Sequence, residues 1–291
     1  MKPIVKPFFE PDSCTWTYLA ADPDSRRAAL IDPVWVYDPA TGQPDRGFLD
    51  DVLDAAGAEG WGLDWILETH AHADHLSAAA LARQDTGAPV VIGRGIRDVQ
   101  ANFARVFNLP DLSTDGSQFD RLVAEGDRLP LGALGIEVME TPGHTNDSVT
   151  YRIGDAAFVG DTLFAPAYGT ARCDFPGGDA GMLWDSIARI HALPPDTRLF
   201  LCHDYPPEDQ APRNEVSVAE SRRDNVHLGG DVPRADFVSM REARDATLGM
   251  PRLILPALQV NIRAGEAPPP EGNGAAYLKI PFDTTIADLL R

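Results

Sequence analysis

Apolar positions in this 291-residue chain fall into short runs separated by turns. Residues 15–20 and 28–31, the latter followed by Asp32-Pro33, read as strands joined by tight connections. Over residues 48–58, Phe48, Leu49, Val52, Leu53 and Ala56 recur at helical spacing, with Gly57 as a stop. Trp65-Ile66-Leu67 reads as a strand that runs directly into a histidine cluster. Residues 76–84 read as a helix closed by Gly87, 90–92 as a strand and 96–107 as a helix. After Gly126-Asp127 a meander of strands is expected at 136–140, 148–153 and 157–159. Residues 166–178 form a long loop rich in Gly and Pro, a kind of segment that in compact domains is usually functional. A helix at 182–192 and a strand at 198–201 precede Cys202-His203. The tail reads as a helix near 239–248, an extended run at 253–260 and a surface loop at Ala267-Pro268-Pro269-Pro270. No internal repeat and no linker interrupt the chain, and both halves hold strands followed by helices. The expectation is one α/β domain over residues 1–291, with a C-terminal extension from about 240 to 291 packed on it.

Composition adds little to that picture. Hydrophobic residues make up 44% and charged residues 24%, enough apolar content for a core. No apolar run approaches the roughly 18–20 residues that span a bilayer. Lys2 and Lys6 have no apolar stretch behind them, unlike a signal peptide. Cys14, Cys173 and Cys202 are an odd number in a long chain and read as reduced thiols of a cytoplasmic protein. Charge changes more: 25 basic against 44 acidic residues gives a net −19. A field of that sign repels phosphate backbones and anionic lipid, so neither nucleic acid nor membrane is expected as a partner.

The chemistry concentrates in Thr69-His70-Ala71-His72-Ala73-Asp74-His75. Three imidazoles and a carboxylate are costly to crowd together unless a cation holds them. In extended backbone His70 and His72 point to the same side and can face one ion. His144, in Thr141-Pro142-Gly143-His144-Thr145, Asp161 after Ala157-Phe158-Val159-Gly160, and His203 after Leu199-Phe200-Leu201-Cys202 each follow an apolar strand. Sites in layered α/β folds are built at such carboxyl ends. His191, in a helix, reads as a helix-end residue and His227, in a polar stretch, as solvated. Cys173 and Cys202 read as buried thiols.

Together, His70-Ala71-His72-Ala73-Asp74-His75, His144, Asp161 and His203 resemble the metallo-β-lactamase signature in order and spacing. The resemblance implies a four-layer αββα metallo-β-lactamase sandwich with a metal site at the edges of two mixed sheets. Within that family the chain is most similar to persulfide dioxygenases of the bacterial β-lactamase-like hydrolase branch. The similarity is carried by Gly160-Asp161-Thr162-Leu163-Phe164, the loop from Tyr168 to Phe175, Cys202-His203-Asp204-Tyr205-Pro206-Pro207, and the tail from Leu258 to Gly265. It implies one Fe(II) per chain held by His70, His144 and Asp161, with His72, Asp74, His75 and His203 around it or serving a second metal. It implies glutathione persulfide and O2 as reactants, a homodimer, and, since longer relatives carry a rhodanese-like or phosphatase-like sulfurtransferase domain, a separate sulfurtransferase partner.

The residues themselves leave a binuclear site open: His70, His72 and His144 for one metal, Asp74, His75 and His203 for another, with Asp161 as a bridge. Two Zn(II) per chain would suit a glyoxalase II-type thioester hydrolase, through a bridging hydroxide. A silent metal-binding scaffold fits less well with seven retained site groups. Against the net negative charge the substrate carboxylates need a cation. Arg172 is the first candidate, since guanidinium grips carboxylate in a fork, and Tyr205 and Arg213 are the next.

Overall fold

The computed structural model describes residues 2–282 apart from Glu208, together with Thr284 and Asp288. The part of the C-terminal extension that lies beyond these residues is outside that description. The first half holds β1 (Ile4–Glu10), β2 (Thr15–Ala21), β3 (Arg27–Ile31), β4 (Val34–Asp38), β5 (Gln43–Asp45), α1 (Gly47–Ala58), β6 (Gly62–Leu67), β7 (Leu76–Ser77), α2 (Ala79–Thr86), β8 (Val90–Gly93), α3 (Ile96–Val106) and β9 (Arg121–Val123). The second holds β10 (Arg128–Leu131), β11 (Leu134–Glu140), β12 (Val149–Ile153), β13 (Ala156–Phe158), a 3-10 turn (Gly160–Thr162), α4 (Ala180–His191), β14 (Arg198–Phe200), β15 (Glu215–Ser217), α5 (Val218–Asp224), α6 (Arg234–Asp245) and α7 (Ile254–Asn261).

Two six-stranded mixed sheets result, in the orders β1-β2-β3-β6-β8-β9 and β10-β11-β12-β13-β14-β15. The apolar runs are continuous because both faces of each sheet are covered. Trp16, Tyr18, Ala29, Ile31, Leu67 and Val91 of the first sheet meet Ile136, Val138, Tyr151, Ile153, Phe158 and Phe200 of the second. Their strand neighbours Leu19, Leu30, Ile66, Val90 and Ile92 point the other way, into a core shared with α1, α2, α3 and α7. Ala157, Leu199, Leu201 and Val216 likewise face α4, α5 and α6. Helix, sheet, sheet and helix are therefore stacked as the αββα sandwich that the resemblance implied. No helix among the described residues is long and apolar enough to cross a membrane.

The tail departs from expectation. Residues 253–260 are not extended but lie within α7 and the turn before it. Ile254, Leu258 and Ile262 enter the core of the first sheet, while Leu253, Ala257 and Val260 pack with Leu76. A helix buried on both sides shows no polar stripe, so its sequence reads like a strand. Pro256 is the third helical residue, where no intrahelical N–H bond is lost. Leu76-Ser77 pairs with Val34-Trp35 of β4 instead of opening a helix, so α2 begins at Ala79. Gly57 does not stop α1, and α6 starts at Arg234, ahead of the expected position.

Two glycines permit close approaches at the sheet edges, one to the histidine loop and one to α4. A Cβ on Gly160 (φ +52°) would lie 2.6 Å from Thr69 Oγ1, and one on Gly143 (φ +139°) 2.3 Å from the Leu183 nitrogen of α4. Gly143→Ala is expected to lower stability by at least about 2 kcal/mol, through positive-φ strain and backbone overpacking. A urea unfolding midpoint equal to wild type would contradict this packing.

Candidate metal centre

Past β6 the chain leaves the sheet. Glu68 N–H still donates to the Val91 carbonyl and the Thr69 carbonyl accepts from Val149 N–H, both at 2.9 Å, but among the described residues no backbone partner satisfies residues 70–75. Buried side chains from three other elements do so instead. Asp32, just after β3, accepts from the Thr69 amide at 2.7 Å and from Thr69 Oγ1 at 3.0 Å. Asp147, before β12, accepts from the Ala71 amide at 2.7 Å. Asn261 of α7 donates through Nδ2 to the carbonyls of His72 (2.7 Å) and His75 (2.8 Å) and accepts from the Ser77 amide at 2.8 Å. So fixed, the loop presents four donors. His144 arrives after β11, Asp161 on the 3-10 turn after β13, and His203 after β14.

The donors fall into two groups, each with ligand atoms within 4.8 Å of one another: His70, His144 and Asp161; and His72, Asp74, His75 and His203. All are buried except the half-buried Asp74. His70 and His72 do not share a group, although their ring centroids are 3.9 Å apart. His72 Nε2 is turned towards Asp32 Oδ1 at 3.1 Å. The loop is bent, and the two-residue alternation of extended chain does not hold in it. Asp161 stands between the groups, with Oδ2 3.8 Å from His70 Nε2 and 3.6 Å from His144 Nε2, and Oδ1 3.3 Å from His203 Nε2.

Tautomers follow from the outer contacts. Thr69 gives its hydroxyl proton to Asp32, so His70 Nδ1–H donates to Thr69 Oγ1 at 3.1 Å and Nε2 keeps a lone pair. His144 Nδ1–H donates to the Arg172 carbonyl at 2.7 Å, and His203 Nδ1–H to that of Cys14 at 3.2 Å. Burial, reinforced by neighbouring imidazoles, pushes His70 and His72 well below the ordinary histidine range, so both rings are neutral. Burial also raises Asp32 to about 6 despite its bonds from Thr69. His70 Nε2, His75 Nε2, His203 Nε2 and Asp161 Oδ1 are buried without a hydrogen-bond partner. Buried polar atoms rarely stay unpaired, and neutral imidazole nitrogens converging with a carboxylate are what a transition metal takes. The donor set fits a metal, and it suits Fe, Zn and Mn alike.

A cavity of about 450 Å³ opens beside Asp74, His144 and Asp161, with Phe164, Phe175 and Tyr205 in its wall. Arg172 lines it, but its guanidinium forks onto Asp174 (2.6 and 2.7 Å) and donates to the Gly249 carbonyl at 2.6 Å. Arg213 is not in the lining and instead forks onto Glu220 at 2.7 and 2.6 Å. Its closeness in sequence to His203 does not become closeness in space. The cavity's other cations, Arg241, Arg244 and Arg252, come from the tail, where nothing in the local sequence marks them. His227 is not solvated, since its Nδ1 accepts from the Thr170 amide at 3.0 Å. Cys173 and Cys202 are free and buried, as expected.

Residues 11–203 match the Metallo-beta-lactamase superfamily. The chain is 51% identical over 290 residues to a probable metallo-hydrolase of Burkholderia pseudomallei, covering 96% of this chain and 99% of that one. It is 42% identical to Glyoxylase B2 of Dictyostelium discoideum, over 97% and 98% of the two chains. It is 31% identical to the mitochondrial persulfide dioxygenase ETHE1 of Bos taurus, over 92% and 91%. The crystal structure of ETHE1 from Myxococcus xanthus superposes with a TM-score of 0.73 and 32% identity, covering 90% of this chain and 100% of that one.

Asn261→Leu strands three buried backbone groups of the histidine loop. It is expected to cost about 3 kcal/mol, at roughly 1 kcal/mol or more per unpaired group. A denaturation midpoint matching wild type would show that the loop holds without the clamp.

Proposed function

This chain belongs to the metallo-beta-lactamase superfamily, and within it we propose that it is a persulfide dioxygenase, a non-haem Fe(II) enzyme that converts glutathione persulfide, O2 and water to sulfite and glutathione. The observation that carries this is the convergence of His70, His144 and Asp161, two imidazoles and one carboxylate, the donor set that leaves a non-haem iron open to reactants. The 31% identity to a persulfide dioxygenase over 92% of the chain supports it. Fe(II) held there supplies redox chemistry that Zn2+ lacks. In the overall reaction the terminal sulfur loses four electrons, which O2 accepts. Two of the three sulfite oxygens come from O2 and one from water, and glutathione leaves as its thiol.

The chain's own residues supply oriented imidazole and carboxylate donors and a shaped, charged pocket. Thr69 and the Arg172 carbonyl hold His70 and His144 with Nε2 towards Asp161. Phe164 and Phe175 give the cavity apolar wall. Glutathione's carboxylates must be received in a protein of net charge −19. Arg172 is occupied by Asp174, whereas no ion pair within 4 Å is formed among the described residues by Arg244 or by Arg252, which line the cavity, although Arg252 lies within electrostatic reach of Asp38. These two take the anchoring role that the sequence suggested for Arg172.

A binuclear thioester hydrolase is the second reading. It is favoured by the four further donors, by Asp161 facing both groups, and by the 42% identity to Glyoxylase B2.

Metal content of anaerobically purified protein, followed by O2 uptake on adding glutathione persulfide, separates the two. The expected result is near one iron per chain with O2 consumed and sulfite released; two zincs and cleavage of S-lactoylglutathione without O2 would establish the hydrolase. Arg244→Gln with Arg252→Gln should raise KM for glutathione persulfide about tenfold while leaving kcat and metal content in place. A wild-type KM would remove the pair from substrate binding.

A further inference from the structure

The loop between the 3-10 turn and α4 carries the Arg172 carbonyl on which His144 Nδ1–H rests, and it has no strand or helix of its own. Its backbone is tied to α6, outside the segment that matches the superfamily. Arg241 donates through one nitrogen to the Thr170 carbonyl at 3.1 Å and through two others to Asp245 Oδ1, at 2.9 and 2.5 Å. The second oxygen of Asp245 accepts from the Cys173 amide at 2.8 Å. The pair thus holds the residues on both sides of Ala171-Arg172, and both members are buried, at 1% and 5% exposure. Asn225 and His227 add bonds to Gly169 and Thr170, but at one end of the segment only.

A buried ion pair is weak evidence for stability, because desolvation offsets most of its attraction. Here each member spends a further donor or acceptor on the loop that bears the His144 contact. We propose that Arg241 and Asp245 are positioning residues for the metal centre. By fixing the carbonyl of Arg172 they hold His144 in the tautomer and ring orientation that turn Nε2 towards Asp161, and so they set metal affinity from a helix that contributes no ligand. This rests on the reading of His70, His144 and Asp161 as metal ligands, and it is independent of which reaction the metal serves.

The test is cobalt(II) binding to metal-free protein, by competition against a chelator, with the visible absorption of the bound ion as a second readout. Removing one member alone would leave a buried charge unpaired, so the pair is replaced together as Arg241→Met with Asp245→Leu. The folded double variant is expected to bind cobalt about 10–100-fold more weakly, the usual loss when a ligand's orienting partner is removed, with a changed absorption band. Arg241→Lys, whose single ammonium cannot serve Asp245 and Thr170 in the same way, should lose about tenfold. If the double variant does not fold, the lysine variant decides alone. Val52→Ala, in the core beneath α1, is the control that lowers the thermal midpoint without moving cobalt affinity. Wild-type affinity and spectrum in the folded double variant, or affinity within about twofold of wild type in Arg241→Lys, would overturn the proposal. Failure of the wild-type protein itself to bind cobalt would instead overturn the ligand assignment beneath it.

Discussion

A neutral imidazole buried with its lone pair facing other imidazoles has no hydrogen bond to make, and that constraint shapes the strand edges here. His70, His75 and His203 each bury an Nε2 with no hydrogen-bond partner. Burial and neighbouring imidazoles keep His70 neutral, whereas at His203 burial is outweighed by the carboxylates of Asp161 and Asp74, which favour the charged ring. Leaving several such atoms unsatisfied would cost a few kcal/mol each. The surroundings nevertheless keep them unpaired. Thr69, Thr15 and Cys14 occupy the opposite ring nitrogens of His70, His75 and His203, so no rotation relieves the inner ones. The fold gives up local hydrogen bonding to keep a set of donors ready for a cation.

The support for this arrangement comes from far along the chain. Asp32 from the first sheet, Asp147 from the second and Asn261 from the C-terminal helix all end on the backbone of one eight-residue loop. The loop is irregular because its side chains must converge, and irregular backbone survives burial only when side chains complete its bonding. The tail also supplies three of the cavity's cations, Arg241, Arg244 and Arg252, so the candidate metal donors and most of the cavity's positive charge belong to different parts of the sequence.

How much could be read beforehand follows the same division. The candidate donors were legible because each stands directly after an apolar strand, where a polar cluster is conspicuous. The strands were legible as short apolar runs, but their pairing into two stacked sheets came only through the resemblance. The substrate side was not. Whether Arg172 would face substrate or pair with Asp174 was open, because a two-residue spacing does not reveal whether a fork will close. Arg241 and Asp245 sit four apart in a helix dense with charge, where nothing local marks them as the buried pair they form. Asn261 stood out only through resemblance, since its partners are carbonyls nearly two hundred residues away. α7 was misread for a related reason: a helix enclosed by two cores has no polar stripe to announce its period. Partners brought together only by tertiary folding leave no local trace.

His70 descends from the first sheet, while His144 and Asp161 descend from the second. An ion bound by all three is therefore a cross-link between the two halves of the sandwich as well as a reaction centre. Unfolding must then release it, and the free concentration of that ion enters the folding equilibrium as any ligand of the native state does. A chain made when the metal is scarce is less firmly folded as well as inactive, and so more exposed to proteolysis.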